Sequence, residues 1–149
     1  MNRIARIGMV ILLAAACRQT TEPIPVNAIV GTWGVLRAPN DPPGSGESLT
    51  LAILPALPPG NTANEAQLRG EGSWHGEAGP SGTSTATGWV RSDSVTLDIT
   101  YVFDAQFGGG TARIGHFAGR LTDVGTMAGT ISFANGVTGT VTYRKFGPD

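Results

Sequence analysis

Ser94-Val95-Thr96-Leu97-Asp98-Ile99-Thr100-Tyr101-Val102-Phe103 is the stretch that decides the fold. Val95, Leu97, Ile99, Tyr101 and Phe103 share one parity, and Thr96, Asp98 and Thr100 fall between them. Successive side chains of a strand point to opposite faces, so this period of two gives one oily face and one wet face. Such a strand belongs to an antiparallel sheet that covers a core on one side only.

The same alternation recurs on either side. Met127, Gly129, Ile131 and Phe133 interleave with Thr126, Ala128, Thr130 and Ser132. Asn135-Gly136 follows, a pair that favours a two-residue type I′ hairpin. Val137, Gly139, Val141 and Tyr143 then alternate with threonines. Extended over the chain, the pattern predicts strands at 29–38, 48–54, 66–75, 84–91, 94–103, 111–121, 125–133 and 136–146. The connections 39–47, 55–65 and 76–83 are rich in Pro, Gly, Ser or Asn. No window keeps a 3.6-residue apolar period. Eight short strands in series predict an all-β domain over 28–149, an eight-stranded antiparallel up-and-down β-barrel. Closure removes the sheet edges that an open meander would expose, and glycines within strands relieve crowding where a small barrel bends.

Composition sets outer limits. The 149 residues suit one domain, and a formal net charge of -1 argues against nucleic acid as the main partner, because phosphate binding needs a basic surface. A single Cys rules out an intrachain disulfide and a multi-Cys zinc site. No run approaches the roughly 20 apolar residues of a membrane-spanning helix.

The beginning of the chain reads as an address. Arg3 and Arg6 precede an apolar run over 7–16, which ends in Ala14, Ala15 and Ala16 before Cys17. A basic start, a short apolar run and small residues at the cut describe a secretory signal over 1–16. Leu13-Ala14-Ala15-Ala16-Cys17 resembles the lipobox of bacterial lipoproteins. In that family the Cys is diacylated, the preceding peptide is removed and the new amino terminus is acylated. The family prefers Leu three residues before the Cys, and here Ala14 holds that place. The resemblance implies lipidation at Cys17 (palmitate among the acyl chains), a tether over 17–27 containing Pro23 and Pro25, and anchoring in the bacterial cell envelope. Arg18, where the family uses Asp for inner-membrane retention, points to the outer membrane. Two or more acyl chains give stable anchoring where one does not.

Gly31-Thr32-Trp33 opens the first strand, and with the strand meander it resembles the G-x-W of lipocalins and avidin-like barrels. In those families the Trp plugs the closed base, and lipocalins lay an Arg from the last strand across it. The resemblance makes Gly31, Trp33 and Arg144 the base residues, although Arg144 has the opposite parity from Val141 and Tyr143. No helix follows the last strand, unlike lipocalins. With strands running up and down, the loops at 39–47, 76–83, 104–110 and 134–135 frame a mouth that points away from the membrane.

Catalytic chemistry has little to stand on. His75 and His116 lie on separate strands, and a metal would need Glu71, Glu77 or Asp98 to converge with them. Ser73 and Ser81 lie in no G-x-S-x-G elbow. Gly108-Gly109-Gly110-Thr111 lacks the Lys of a phosphate loop. The sequence therefore predicts no enzyme, no metal and no cofactor. Trp33, Trp74, Trp89, Tyr101 and Phe117 are the candidate lining of a cavity for a small apolar ligand, since an eight-stranded barrel either fills its interior or holds one such molecule. The alternative is a solid barrel whose loops contact an envelope protein, as a protease-inhibitor-like barrel would.

Overall fold

A computed structural model describes residues 24–35, 46–55, 64–75, 81–107, 110 and 112–146. The strands are β1 (Gly31–Val35), β2 (Gly46–Ile53), β3 (Glu65–His75), β4 (Ser81–Arg91), β5 (Ser94–Phe103), β6 (Ala112–Asp123), β7 (Thr126–Phe133) and β8 (Thr138–Phe146). Each pairs antiparallel with the next, and β1 pairs with β8, so the sheet closes into a barrel. Two 3-10 turns, Val26–Ile29 and Ala105–Phe107, accompany the strands, and there is no α-helix among the described residues. The eight-stranded up-and-down barrel expected from the alternation is therefore the fold. Cys17 and its surroundings lie outside the described residues.

Parity along the strands sorts the side chains as the alternation requires. Leu49 and Leu51 of β2, Leu68 of β3, Ala86 and Val90 of β4, and Val95, Leu97 and Ile99 of β5 are buried. Phe117 and Leu121 of β6, Met127 and Ile131 of β7, and Tyr143 of β8 complete the ring. Burying side chains of this size stabilises by about 1.5–3 kcal/mol each. Threonines dominate the opposite face, as at Thr83, Thr85 and Thr87.

One end of the barrel is sealed. The turn Val26–Ile29 inserts Val26 and Ile29 into the core before β1 begins. Trp33, fully buried, donates from Nε1 to the Ile29 carbonyl at 2.7 Å. Lys145 holds its ammonium 5.9 Å from the centre of the Trp33 ring and donates to the Ala28 carbonyl at 3.2 Å. The base cation is thus Lys145 and not Arg144. Lys145 is the register partner of Trp33 and sits against the base, whereas Arg144 is exposed.

Other boundaries differ locally. β1 begins at Gly31, because Val26–Ile29 coils into the base instead of extending. β2 begins at Gly46, which brings Glu47 out of the expected loop and onto the inner face with Leu49. The turn after β7 is longer than type I′. Phe133 N–H donates to the Val137 carbonyl, Gly136 N–H donates to the Phe133 carbonyl, both at 2.9 Å, and Gly136 has φ of 82°. These bonds define a three-residue loop with its Gly in the left-handed region. Asn135 does not adopt positive φ; its Oδ1 accepts from Val137 N–H at 3.2 Å and fixes the loop by a side-chain bond.

Candidate functional site

The end opposite Trp33 is built differently. At successive inner positions near this end stand Glu47 of β2, Trp74 of β3, Gly82 and Ser84 of β4, Tyr101 and Phe103 of β5, and Phe133 of β7. Glu47, Trp74, Tyr101, Phe103 and Phe133 are each only partly buried, in contrast to the sealed base.

Glu47 is the centre of this group. Tyr101 donates its hydroxyl to Glu47 Oε1 and Oε2, each at 3.1 Å, and Tyr143 donates to Oε2 at 3.1 Å. The Tyr143 contact joins residues 96 apart in sequence, which meet only because β8 closes on β1. Burial pushes the Glu47 carboxyl above its ordinary value, and the bonds from Tyr143 and Tyr101 pull partly the other way. Burial, and then the neighbouring Glu47 charge, raise both phenols well above their ordinary range, so they remain protonated donors. The ion pairs among the described residues are Arg69–Glu71, Arg91–Glu65, Arg120–Asp93 and the imidazole–carboxylate contact His116–Asp98, and none reaches Glu47.

Aromatic rings surround the carboxylate. Trp74 meets Tyr101 edge to face, with centroids 6.1 Å apart and planes at 89°. It meets Phe103 in the same way at 4.9 Å and 87°. Tyr101 lies 6.1 Å from Phe133, and the Arg113 guanidinium sits 5.6 Å over the Phe133 ring at the rim. Phe117 packs edge to face on Tyr143 at 5.6 Å, one layer nearer the base.

Two polar atoms here have no hydrogen-bond partner among the described residues. They are the buried Nε1 of Trp74 and Oγ of Ser84, the latter on a residue only 1% exposed. Gly82 lies beside the indole, and a Cβ there would come within 2.9 Å of Nε1. Native proteins satisfy the large majority of buried polar groups, so an orphaned donor and an orphaned hydroxyl on adjoining strands need an explanation.

The expected lining residues therefore separate. Trp74 and Tyr101 come together at the end opposite Trp33. Phe117 lies beneath them against Tyr143, and Trp33 belongs to the base. Trp89 stands on the outer face, because Ser84, Ala86 and Val90 carry the inward parity of β4; Arg91 covers its ring at 5.4 Å. Gly31, with φ of 140°, lies under the Lys145 side chain at the base. Sequence reasoning missed Glu47, Ser84 and Tyr143 as members of the site. Extending the Leu49 and Leu51 parity one step back marks Glu47 as inward. The histidines take no part: His116 shares a hydrogen bond between its Nδ1 and Asp98 Oδ1 at 2.7 Å on the exposed face, and His75 is exposed.

No family model and no curated protein matches the chain. Among solved structures it is similar to a redesigned β-barrel, at 14% identity and a TM-score of 0.42, over 83% of this chain and 95% of that one.

Proposed function

We propose that this chain is a lipid-anchored binding protein of a bacterial envelope, whose barrel takes a small, mainly apolar ligand at its open end. The observation that carries the binding reading is the pair of unsatisfied atoms, Trp74 Nε1 and Ser84 Oγ, set among aromatic rings and near the partly buried Glu47 carboxylate. Ligand sites of this kind are largely apolar with a few placed polar groups. An acceptor that reached either donor would remove its desolvation cost, about 1–3 kcal/mol.

The anchoring half of the proposal rests on Cys17 after its three alanines. A chain acylated at Cys17 enters the barrel through Val26–Ile29 at the sealed base. The open end then faces away from the lipid, within reach of soluble molecules.

Both halves have direct tests. Protein extracted from membranes should have a mature mass that starts at Cys17 and carries two or three acyl chains; an unlipidated mature chain would refute the anchor. For binding, the indole N–H resonances of Trp74, Trp33 and Trp89 serve as three reporters in one sample. Titration with a small neutral alcohol such as 3,3-dimethyl-1-butanol should move the Trp74 signal and leave those of Trp33 and Trp89 in place. Equal movement of all three would count against a site at that end.

A further inference from the structure

The binding reading leaves one feature unexplained. Glu47 is a carboxylate drawn into an aromatic interior without a cation among the described residues. A buried charge is costly unless it is paired as well as hydrogen-bonded. Two phenol hydroxyls satisfy part of its acceptor capacity, and an ionised carboxylate offers roughly four lone-pair directions. The rest of the local chemistry also suits positive charge. Trp74 stands nearly perpendicular to Tyr101 and to Phe103, so three rings form the walls of a corner. Ring faces attract cations, most strongly those of Trp, and cages of such rings recognise quaternary ammonium groups. The rim already shows this preference, since the Arg113 guanidinium lies over Phe133.

We propose that the ligand is a small organic cation carrying an oxygen acceptor, with its ammonium against Glu47 and the Trp74–Tyr101–Phe103 corner and its oxygen toward Trp74 Nε1 and Ser84 Oγ. This inference rests on the binding reading above and assigns the ligand's charge. The cation supplies the missing counter-charge for Glu47, and the oxygen supplies an acceptor for an orphaned donor. A purely apolar ligand would do neither.

The inner-facing groups around Glu47 define the pH response. β3, β4 and β7 contribute Trp74, Gly82, Ser84 and Phe133, with no titratable side chain at this level. β5 contributes Tyr101, β8 contributes Tyr143, β6 contributes Arg113 at the rim, and β1 contributes Val35. The phenols stay neutral and a guanidinium does not give up its proton, so Glu47 is the group that titrates. Cation binding needs it ionised. Affinity therefore rises with pH through the raised Glu47 value and then levels off, and binding releases a proton.

Choline and 3,3-dimethyl-1-butanol have nearly the same shape and differ in charge, so they separate the two readings. Both are titrated into the full-length protein, with the Trp74 indole resonance as readout. Choline should bind at least about tenfold more tightly than its neutral counterpart at neutral pH. Glu47→Gln should abolish that preference, with unchanged Trp33 and Trp89 resonances showing that the barrel is intact. Choline affinity of the unmodified chain should rise with pH, a measurement that does not depend on the variant folding. Equal binding of the two probes, or choline affinity that falls with pH, would overturn the cation assignment and leave a neutral-ligand site. Failure of both probes to move the Trp74 signal would remove the binding reading as well.

Discussion

Ser84 shows how a single oxygen can cost stability. Its hydroxyl is buried without a partner among the described residues, and an unsatisfied buried group costs about 1–3 kcal/mol. Ser84→Ala keeps the backbone and nearly the volume while removing that penalty. The variant should be more stable by about 1 kcal/mol in urea denaturation, and should bind the ligand less well. Glu47 makes the complementary case through pH. Its folded value lies above the unfolded value near 4.5, so the folded chain retains a proton that the unfolded chain releases. That contribution to stability is complete below about 4.5 and is lost as pH rises through the folded value. Glu47→Gln cannot titrate. The stability of the parent relative to this variant should therefore fall with rising pH in that window and flatten above it, as measured by denaturation over a pH series. A difference that grows with pH would mean that the carboxylate is paired with a cation in the free protein.

At the scale of strands and turns, close approach governs what each position tolerates. A Cβ added at Gly72 would run into the Ser48 carbonyl of the neighbouring strand, which is backbone and cannot swing away. Gly72→Ala should destabilise by about 1–3 kcal/mol, seen as a lower midpoint in thermal unfolding. Gly139 has the inward parity of Val141 but open space around it, and Gly139→Ala should be tolerated. Much of this level is legible in the sequence. The alternation from Val95 to Phe103 specifies a strand and its buried face, and the same rule locates Trp74, Tyr101 and Phe117 inside. It does not settle β4, where Ser, Thr, Ala and Gly alternate without a clear apolar face, and so the sequence puts Trp89 inside when it is outside. Nor does it settle the start of β2, since Gly44-Ser45-Gly46 has the composition of a loop and draws Glu47 into it. Asn135-Gly136 signals a turn correctly and its length incorrectly. The Asn135 side chain bonds ahead to Val137 N–H, and that bond, more than the tolerance of Asn for positive φ, sets the loop.

For the molecule as a whole, the barrel divides into a packed lower part and a polar upper end. Trp33 ties the base together through Ile29 and Lys145. Trp33→Ala should cost about 3–5 kcal/mol in chemical denaturation, the range for emptying a large aromatic site in a core. The composition of the upper end cannot be read from any local window, since Glu47 and Tyr143 are far apart in the chain and become neighbours only through closure. That closure also fixes how the molecule responds to load. β1 and β8 are antiparallel, and the start of β1 and the end of β8 both lie at the base, where Lys145 reaches Ala28. Tension applied between those two points acts across the ladder at its end, so the rungs give way one after another like the teeth of a zip. Such a seam resists pulling far less than strands dragged lengthwise past each other, and it makes the junction of β1 and β8 the place where the cylinder first comes undone under force.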